Sequence, residues 1–346
     1  MLGKPSTLKR TLLLAVVVIV VLSAASAAFF LFLQPKTSTP TPSLTLEKFK
    51  SGGYFGDSEA AFLLMDAGKD KGFWASNGLA PEFVSIPGRA ILAADLKEQV
   101  ASGIKIGFSI PSEIILARSA GVPVKIIAGY VGEAPAKVFV KTDGRINSVK
   151  DLDGKKIGVV STDHFTYRMA LYLANKFSIK MEPVPVGDLP SNIAALKTGR
   201  IDAFIYGTPN GVALLLVDSG EFRVALEMRD VLPKPFVSIV AYATDDMIEQ
   251  NPELVRKFVN ATLEIVKYLK ENPDYASELY SKRTGAPRDL SDKAISQLDW
   301  APDGRGSGVD LAVAVTNVWQ YNAESGAIPA SVKGKIEEVV STRFLS

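Results

Sequence analysis

Four short segments combine hydroxyl, glycine and aromatic residues where a predicted strand runs into a predicted helix: residues 53–58, 108–112, 161–166 and 206–210. Backbone N–H groups at a helix start lack intrahelical partners, and the helix dipole is positive there, so polar or anionic ligand atoms are attracted. Side chains at such positions either cap the helix or bind a ligand. The candidate ligand-binding residues are Tyr54, Phe55, Asp57, Ser58, Phe108, Ser109, Ser112, Ser161, Thr162, His164, Phe165, Thr166, Tyr206, Thr208 and Asn210.

The same segments predict a shared cleft, because ligands of α/β sheets bind beyond the carboxyl ends of the strands. Two ligand classes stay open. Helix N-termini with hydroxyl groups favour an oxyanion such as nitrate or a sulfonate, whereas the aromatic residues favour a flat heterocycle such as a pyrimidine. Arg89, Arg118 and Arg168 are candidate groups for holding an anion.

Composition and motifs exclude several kinds of chemistry. The chain of 346 residues has no cysteine, which excludes thiolate catalysis, Cys-ligated zinc and iron–sulfur clusters. Its one histidine, His164, leaves no second imidazole for acid–base work. There is no P-loop motif and no G-x-S-x-G motif, and 39 basic against 37 acidic residues do not indicate a nucleic-acid surface. We predict a protein that is not an enzyme, with no catalytic residue, metal or cofactor.

Residues 1–33 are predicted to form a signal or anchor helix. The 23 residues from Thr11 to Leu33 are uncharged and mostly apolar, and such a helix, about 35 Å long, crosses a bilayer core of about 30 Å. Ala25-Ser26-Ala27 is also a cleavage pattern, so both a retained anchor and a cleaved signal stay open. Basic residues before the stretch predict export of everything after it, and residues 34–43 are a Pro/Thr/Ser tether.

From residue 44 onward, short apolar runs alternate with helical patterns, which is typical of α/β proteins with largely parallel sheets. The length predicts two domains. Phe165–Phe177 is a predicted helix, and Asn251-Pro252-Glu253 is a strong helix start. Residues 51–56 are predicted to be a loop, and Gly68 is predicted to end the helix that follows.

Several motifs resemble those of solute-binding proteins of ABC importers. The segments are residues 151–159 (DLDGKKIGV), 194–203 (AALKTGRIDA), 71–79 (KGFWASNGL), 117–124 (ARSAGVPV) and Asn251-Pro252-Glu253 with Val255. The resemblance runs from about residue 46 to about residue 275. The order and spacing of the motifs resemble the nitrate/sulfonate/taurine and thiamine-precursor (pyrimidine) branch.

The resemblance implies a two-lobed, type II periplasmic-binding-protein-like fold, with each lobe a sheet flanked by helices and a ligand cleft between the lobes. Lobe 1 is expected to comprise residues 44–136 and 237–346, and lobe 2 residues 137–236 with a hinge strand at each end. The implied function is capture of a small molecule and its delivery to ABC permease subunits with a separate ATPase. The expected protein is a monomer, tethered to the outer face of the cytoplasmic membrane, or secreted or periplasmic if the signal is cleaved.

Two other functions stay open, an enzyme of the thiamine-pyrimidine synthase type and a ligand-sensing ectodomain without transport. The third segment departs from the family, because Ser161-Thr162-Asp163-His164 replaces a Gly-Thr/Ser pattern. An acid there disfavours a small anion unless Asp163 caps the helix and turns outward. The segment after Trp300 also fits the family poorly.

Overall fold

Two five-stranded sheets, each covered by helices, form the described part of the protein. The computed structural model describes residues 46–53, 61–85, 93–132, 136–207, 217–301, 303–306, 310–328 and 336–345. The predicted N-terminal helix and tether lie outside these residues. Among the helices in the ranges just given, none has both the length and the apolar character needed to cross a bilayer.

The first sheet combines N-terminal strands with one strand from later in the chain. Its members are β1 (Glu47–Gly53), β2 (Leu79–Ser85), β3 (Ile106–Ser109), β4 (Val124–Val131) and β10 (Ile239–Thr244). Their order is β2-β1-β3-β10-β4, and β10 runs antiparallel to both neighbours. The other four strands run in one direction, so their carboxyl ends lie at the same edge of the sheet.

The second sheet repeats this plan. Its members are β5 (Ala136–Lys141), β6 (Lys156–Val159), β7 (Glu182–Pro185), β8 (Ala203–Gly207) and β9 (Phe222–Glu227). The order is β7-β6-β8-β5-β9, with β5 antiparallel to β8 and β9. Each sheet therefore has one reversed strand in an otherwise parallel arrangement, and the predicted α/β class is confirmed. We call each sheet with its helices a lobe.

Helices cover the sheets and dominate the last third of the chain. They are α1 (Ala61–Asp70), α2 (Phe73–Ser76), α3 (Ala93–Ala101), α4 (Pro111–Ser119), α5 (Phe165–Phe177), α6 (Leu189–Lys197), α7 (Asp245–Gln250), α8 (Pro252–Glu271), α9 (Pro273–Thr284), α10 (Arg288–Ser296), α11 (Leu311–Glu324) and α12 (Ile336–Val339). The start of α8 agrees with the predicted signal, since proline in a first turn loses no intrahelical hydrogen bond. Its apolar stripe packs on the first sheet, where the Phe258 ring lies 5.3 Å from that of Phe108.

The chain passes between the sheets at their carboxyl-end edges. β4 ends at Val131 and β5 begins at Ala136, while β9 ends at Glu227 and β10 begins at Ile239. Because β5 and β10 are the reversed strands, all four of these ends lie where the parallel strands of each sheet finish. The carboxyl-end edges of the two sheets therefore face each other.

Two local predictions are wrong, both at glycines that serve packing. Residues 51–53 complete β1 instead of forming a loop, and Gly52 lies opposite Gly107 of β3. A Cβ on Gly107 would lie 2.0 Å from the Gly52 carbonyl oxygen, so only glycine permits this approach. Helix α1 continues past Gly68 to Asp70, and a Cβ on Gly68 would lie 2.2 Å from the Trp74 Nε1.

Gly107→Ala is expected to lower the free energy of unfolding by about 3 kcal/mol, because the added methyl group forces β1 and β3 apart. Gly121→Ala is the control, since its Cβ would meet nothing within 4 Å and only its φ of 86° is strained. That control should lose about 1 kcal/mol. Urea denaturation followed by tryptophan fluorescence measures both losses, and equal losses would contradict the close approach of the strands.

Candidate functional site

The turn between β6 and α5 is held by its own side chains. His164 caps α5, and its Nδ1 accepts a hydrogen bond from the Thr166 amide at 3.3 Å. The Thr166 hydroxyl lies 2.9 Å from the same Nδ1 and accepts from the Val160 amide at 3.1 Å. Because Nδ1 is an acceptor, the proton of the neutral ring lies on Nε2. His164 and Thr166 are both buried and shape the backbone of the turn.

The outer part of this turn faces solvent. Thr162 and Asp163 are exposed, and the Ser161 hydroxyl donates to the Asp163 carboxylate. The helix cap is His164, not Asp163, so the acid is turned outward without capping the helix. Its negative charge remains in the turn, which disfavours a small anion there.

The turn between β3 and α4 offers two buried hydroxyl groups. Helix α4 begins with Pro111, whose fixed φ suits a first turn. Ser109 and Ser112 are each 5% exposed. The Ser112 Oγ accepts a hydrogen bond from the Asn322 Nδ2 at 3.0 Å, whereas the Ser109 Oγ has no partner among the described residues. A buried hydroxyl without a partner is costly, so Ser109 is the group of this turn best suited to a ligand.

A buried ion pair joins the two turns across the lobes. Arg168, in the first turn of α5, donates to the Glu113 carboxylate in the first turn of α4, and their side chains are 6% and 2% exposed. Arg168 also donates to the Asp163 carbonyl at 2.8 Å, and Glu113 accepts from the Ala93 amide at 3.1 Å. Burial raises the pKa of the Glu113 carboxyl, and the Arg168 guanidinium opposes that rise. The pair therefore fixes the turns relative to each other.

A cavity of about 480 Å³ lies beside this ion pair. Leu116 of α4 lines it from the first lobe, and Thr162, Tyr167 and Leu171 line it from the second. Its volume falls within the roughly 300–1,000 Å³ that pockets for small molecules occupy. The exposed Asp163 lines it as well, so the walls combine apolar, aromatic and hydroxyl groups with one charge pair and one further carboxylate.

The end of β8 packs against the same turn. A Cβ on Gly207 would lie 3.0 Å from the Phe165 ring, so the ring packs directly over this glycine. Tyr206 is half-buried and lies opposite Lys137 of β5. The buried Lys137 ammonium is paired with the Glu227 carboxylate of β9. A second basic group at this edge is thus neutralised by an acid.

The candidate ligand-binding residues fall into three groups. Those at the carboxyl ends of described strands are Ser109, Ser112, Ser161, Thr162, His164, Phe165, Thr166 and Tyr206. Phe108 instead lies in the core, since neighbouring residues of a strand face opposite sides of the sheet and its ring packs against Phe258. Tyr54, Phe55, Asp57, Ser58, Thr208 and Asn210 lie outside the described residues. Ligand binding by these residues stays a prediction.

The candidate anion-binding arginines are occupied where the structure describes them. Arg168 is paired with Glu113, and Arg118, at the other end of α4, is paired with Asp245. Arg89 lies outside the described residues. In the same described part of the chain, no group of three or more His, Asp or Glu residues is arranged to hold a metal ion.

A protein-family model decides the family. The NMT1/THI5-like model matches residues 60–276, which is more than half of the chain. The chain belongs to the NMT1/THI5-like family. This match confirms the resemblance of the motifs to the nitrate/sulfonate/taurine and thiamine-precursor branch. It ends within α9, so α10, α11 and α12 lie beyond the matched residues.

Similar proteins include both binding proteins and an enzyme. The riboflavin-binding protein RibY of Chloroflexus aurantiacus is 29% identical over 181 residues, covering 51% of this chain and 50% of RibY, so the chain spans about half the length of this curated relative. The periplasmic aliphatic sulphonate-binding protein SsuA of Escherichia coli matches with a TM-score of 0.66 and 18% identity, covering 85% of this chain and 92% of SsuA. The desulfurization enzyme DSZB matches with a TM-score of 0.58 and 15% identity, covering 86% of this chain and 97% of DSZB. These likenesses confirm the predicted periplasmic-binding-protein-like fold.

Sequence reasoning missed four polar residues at this site: Glu113, Lys137, Tyr321 and Asn322. An acid in the first turn of a helix is explained by the helix dipole alone, so Glu113 carried no signal of a partner 55 residues away. Lys137 lies in an otherwise apolar strand. Because a buried lysine needs an acid partner, this position was the one available signal of a buried ion pair. Tyr321 and Asn322 lie in the segment that fitted the family poorly.

His164→Ala is expected to lower the free energy of unfolding by about 1 kcal/mol, because the first turn of α5 loses its cap. His164→Asn should lose much less, since asparagine is a good N-cap residue. Chemical denaturation of both variants at pH 8 checks the difference. A loss of equal size in both variants would contradict the capping role.

Arg168→Met is expected to lower the free energy of unfolding by about 3–5 kcal/mol, because Glu113 is left buried without its partner. The double variant Glu113→Leu/Arg168→Met should recover most of that loss, since it removes both charges together. Urea denaturation of the single and double variants measures the coupling. Additive losses in the double variant would show that the two side chains do not act as a pair.

Proposed function

We propose that this protein is an extracytoplasmic solute-binding protein that captures a small molecule between its lobes and delivers it to the permease of an ABC importer. One observation carries the proposal: helix-start turns from two different sheets meet at a buried ion pair beside a cavity of about 480 Å³. Ligands of α/β sheets bind at such edges. Lobe 1 would comprise residues 44–136 and 237–346, and lobe 2 residues 137–236.

We propose a flat heterocycle without strong negative charge as the ligand. The basic groups Arg168 and Lys137 both have acid partners, and the exposed Asp163 adds a negative charge to one turn. The Thr162 hydroxyl and the Tyr167 ring, which line the cavity, then provide recognition by hydrogen bonding and stacking. The Phe165 and Tyr206 rings lie at the same edge of the second sheet. The relative RibY is named a riboflavin-binding protein, which supports the same chemistry.

A sulfonate or another oxyanion is the second candidate ligand. Helices α4 and α5 both begin at the cleft, and their N-terminal dipoles favour an anion. SsuA, which shares the fold, is named a sulphonate-binding protein. This candidate is second because Arg168 and Lys137 are already paired with acids and are not free to bind an anion.

We further propose that the protein captures its ligand without converting it and acts as a monomer. Residues 1–33 would hold it at the outer face of the cytoplasmic membrane, or the protein would be released if they are cleaved. The role of His164 as a helix cap supports the non-enzymatic proposal, because its Nδ1 is occupied by the turn. Permease subunits and a separate ATPase are the proposed partners.

Thermal denaturation with riboflavin, lumichrome, a thiamine-related pyrimidine, taurine and nitrate tests the proposed function. A ligand whose free concentration is 100 times its Kd should raise the free energy of unfolding by about 2.7 kcal/mol, which raises the melting temperature by a few degrees. We expect a heterocycle to do so and to be recovered unchanged by chromatography. Conversion of the compound would indicate an enzyme, and no shift with any class would contradict the proposal.

Ser109→Ala is expected to weaken the binding of that heterocycle about tenfold, because the ligand loses its hydrogen bond to a buried hydroxyl. Ser119→Ala at the other end of α4 is the matched control, since its hydroxyl donates to the Ile115 carbonyl at 2.8 Å and is remote from the turn. Isothermal titration of both variants measures the two Kd values. Unchanged binding in Ser109→Ala would remove this residue from the site.

A further inference from the structure

Helix α11 contacts both candidate ligand turns through two neighbouring residues. The Tyr321 hydroxyl donates to the Phe165 carbonyl of the β6–α5 turn at 3.1 Å. The Asn322 Nδ2 donates to the Ser112 Oγ of the β3–α4 turn at 3.0 Å. These residues lie beyond the matched family region, which ends at residue 276. The contacts are therefore a feature of this chain's C-terminal part.

Both contacts are made by buried side chains and have a defined direction. Tyr321 is 1% exposed and Asn322 is fully buried. Burial raises the pKa of the Tyr321 hydroxyl, so it keeps its proton and donates at neutral pH. The Asn322 Nδ2 also donates to the Val318 carbonyl at 2.8 Å, which fixes the orientation of the amide. Because both side chains are buried, a donor left without its partner there is costly.

Helix α11 is itself fixed to the segment that leads from the second sheet to the first. The Asn317 Nδ2 donates to the Pro235 carbonyl at 2.7 Å. The Tyr321 ring packs edge-on against Phe236 and Tyr172, with ring centroids 6.2 and 5.4 Å away. A helix held in this way is a rigid support, and adjacent residues on it differ by only about 1.5 Å in height.

We propose that Tyr321 and Asn322 are positioning residues that hold the two turns at a fixed separation and so set the size of ligand that the cleft accepts. Helix α11 thus links the two turns through one contact to each, and the ion pair of Glu113 and Arg168 is a second, direct link between them. The claim about ligand size rests on the proposed function. The fixed separation of the two turns rests only on the hydrogen bonds of Tyr321 and Asn322. Size selectivity is then set in part from outside the family region.

Three variants of the full chain test this proposal. Tyr321→Phe removes only the hydroxyl, which reaches the Phe165 carbonyl and also interacts with Arg168. Asn322→Leu removes the donor to Ser112 while keeping a similar volume. Tyr172→Phe is the control, because it keeps the ring that packs against Tyr321 and removes a hydroxyl whose partners are the Val231 carbonyl at 3.0 Å and the Lys176 Nζ at 2.5 Å. Each variant loses hydrogen bonds, so the melting temperatures of the three variants should lie close to one another.

The first readout is amide hydrogen exchange without ligand. Tyr321→Phe should speed exchange in residues 161–168 about fivefold, and Asn322→Leu should do so in residues 109–117, as expected for one lost hydrogen bond. Tyr172→Phe should leave both segments at the wild-type rate. Unchanged exchange in both turns of the first two variants would overturn the proposal, whichever compound binds.

The second readout is the ratio of the Kd values of lumiflavin and riboflavin, which share the isoalloxazine ring and differ only in the size and polarity of the N10 substituent. This ratio should shift about fivefold in Tyr321→Phe and Asn322→Leu and stay constant in Tyr172→Phe. Faster exchange with a constant ratio would overturn the claim on size selectivity. Faster exchange with no binding of either probe to the wild type would support positioning while contradicting the proposed heterocycle.

Discussion

The buried ion pair between Glu113 and Arg168 is the interaction on which the geometry of the cleft depends. Removing two charges from water costs several kcal/mol per ion, and this cost is offset only when both ions are paired and hydrogen-bonded. The Ala93 amide donates a further hydrogen bond to Glu113, and the Asp163 carbonyl accepts one from Arg168. Two helix starts and one turn must therefore occupy a single relative position, and the cavity beside them takes its shape from that requirement.

The same pairing decides the electrostatics of the cleft. The guanidinium of Arg168 and the ammonium of Lys137 lie at the edge where an anion would bind, yet each faces a carboxylate. The proposed ligand is accordingly recognised by hydroxyl groups, aromatic rings and backbone amides, which suit a flat polar ring better than a compact charge. SsuA, which has a similar fold, is named a sulphonate-binding protein. In this chain the charge pairing is the reason why we propose a heterocycle rather than an oxyanion as the ligand.

Much of the fold was predictable because its signals are local. The helix Phe165–Phe177 was predicted with the observed bounds, since apolar spacing and flanking polar residues define it. The α/β class and the family resemblance are confirmed, while the lobe boundaries and the ligand-binding residues stay predictions. Glycine was misleading at Gly52 and Gly68, because a residue that permits a turn equally permits the close approach of two strands or of a ring.

The sequence by itself determined the alternation of strands and helices, the absence of cysteine chemistry, the family and the places where helices begin at strand ends. Only the tertiary structure decided which buried polar groups meet. Glu113 and Arg168 are 55 residues apart, and Asn322 lies 210 residues from Ser112. The physical reason is that capping and amphipathic packing depend on neighbours within one or two turns, whereas the cost of burying a charge or an amide depends on a partner that only the complete fold brings near.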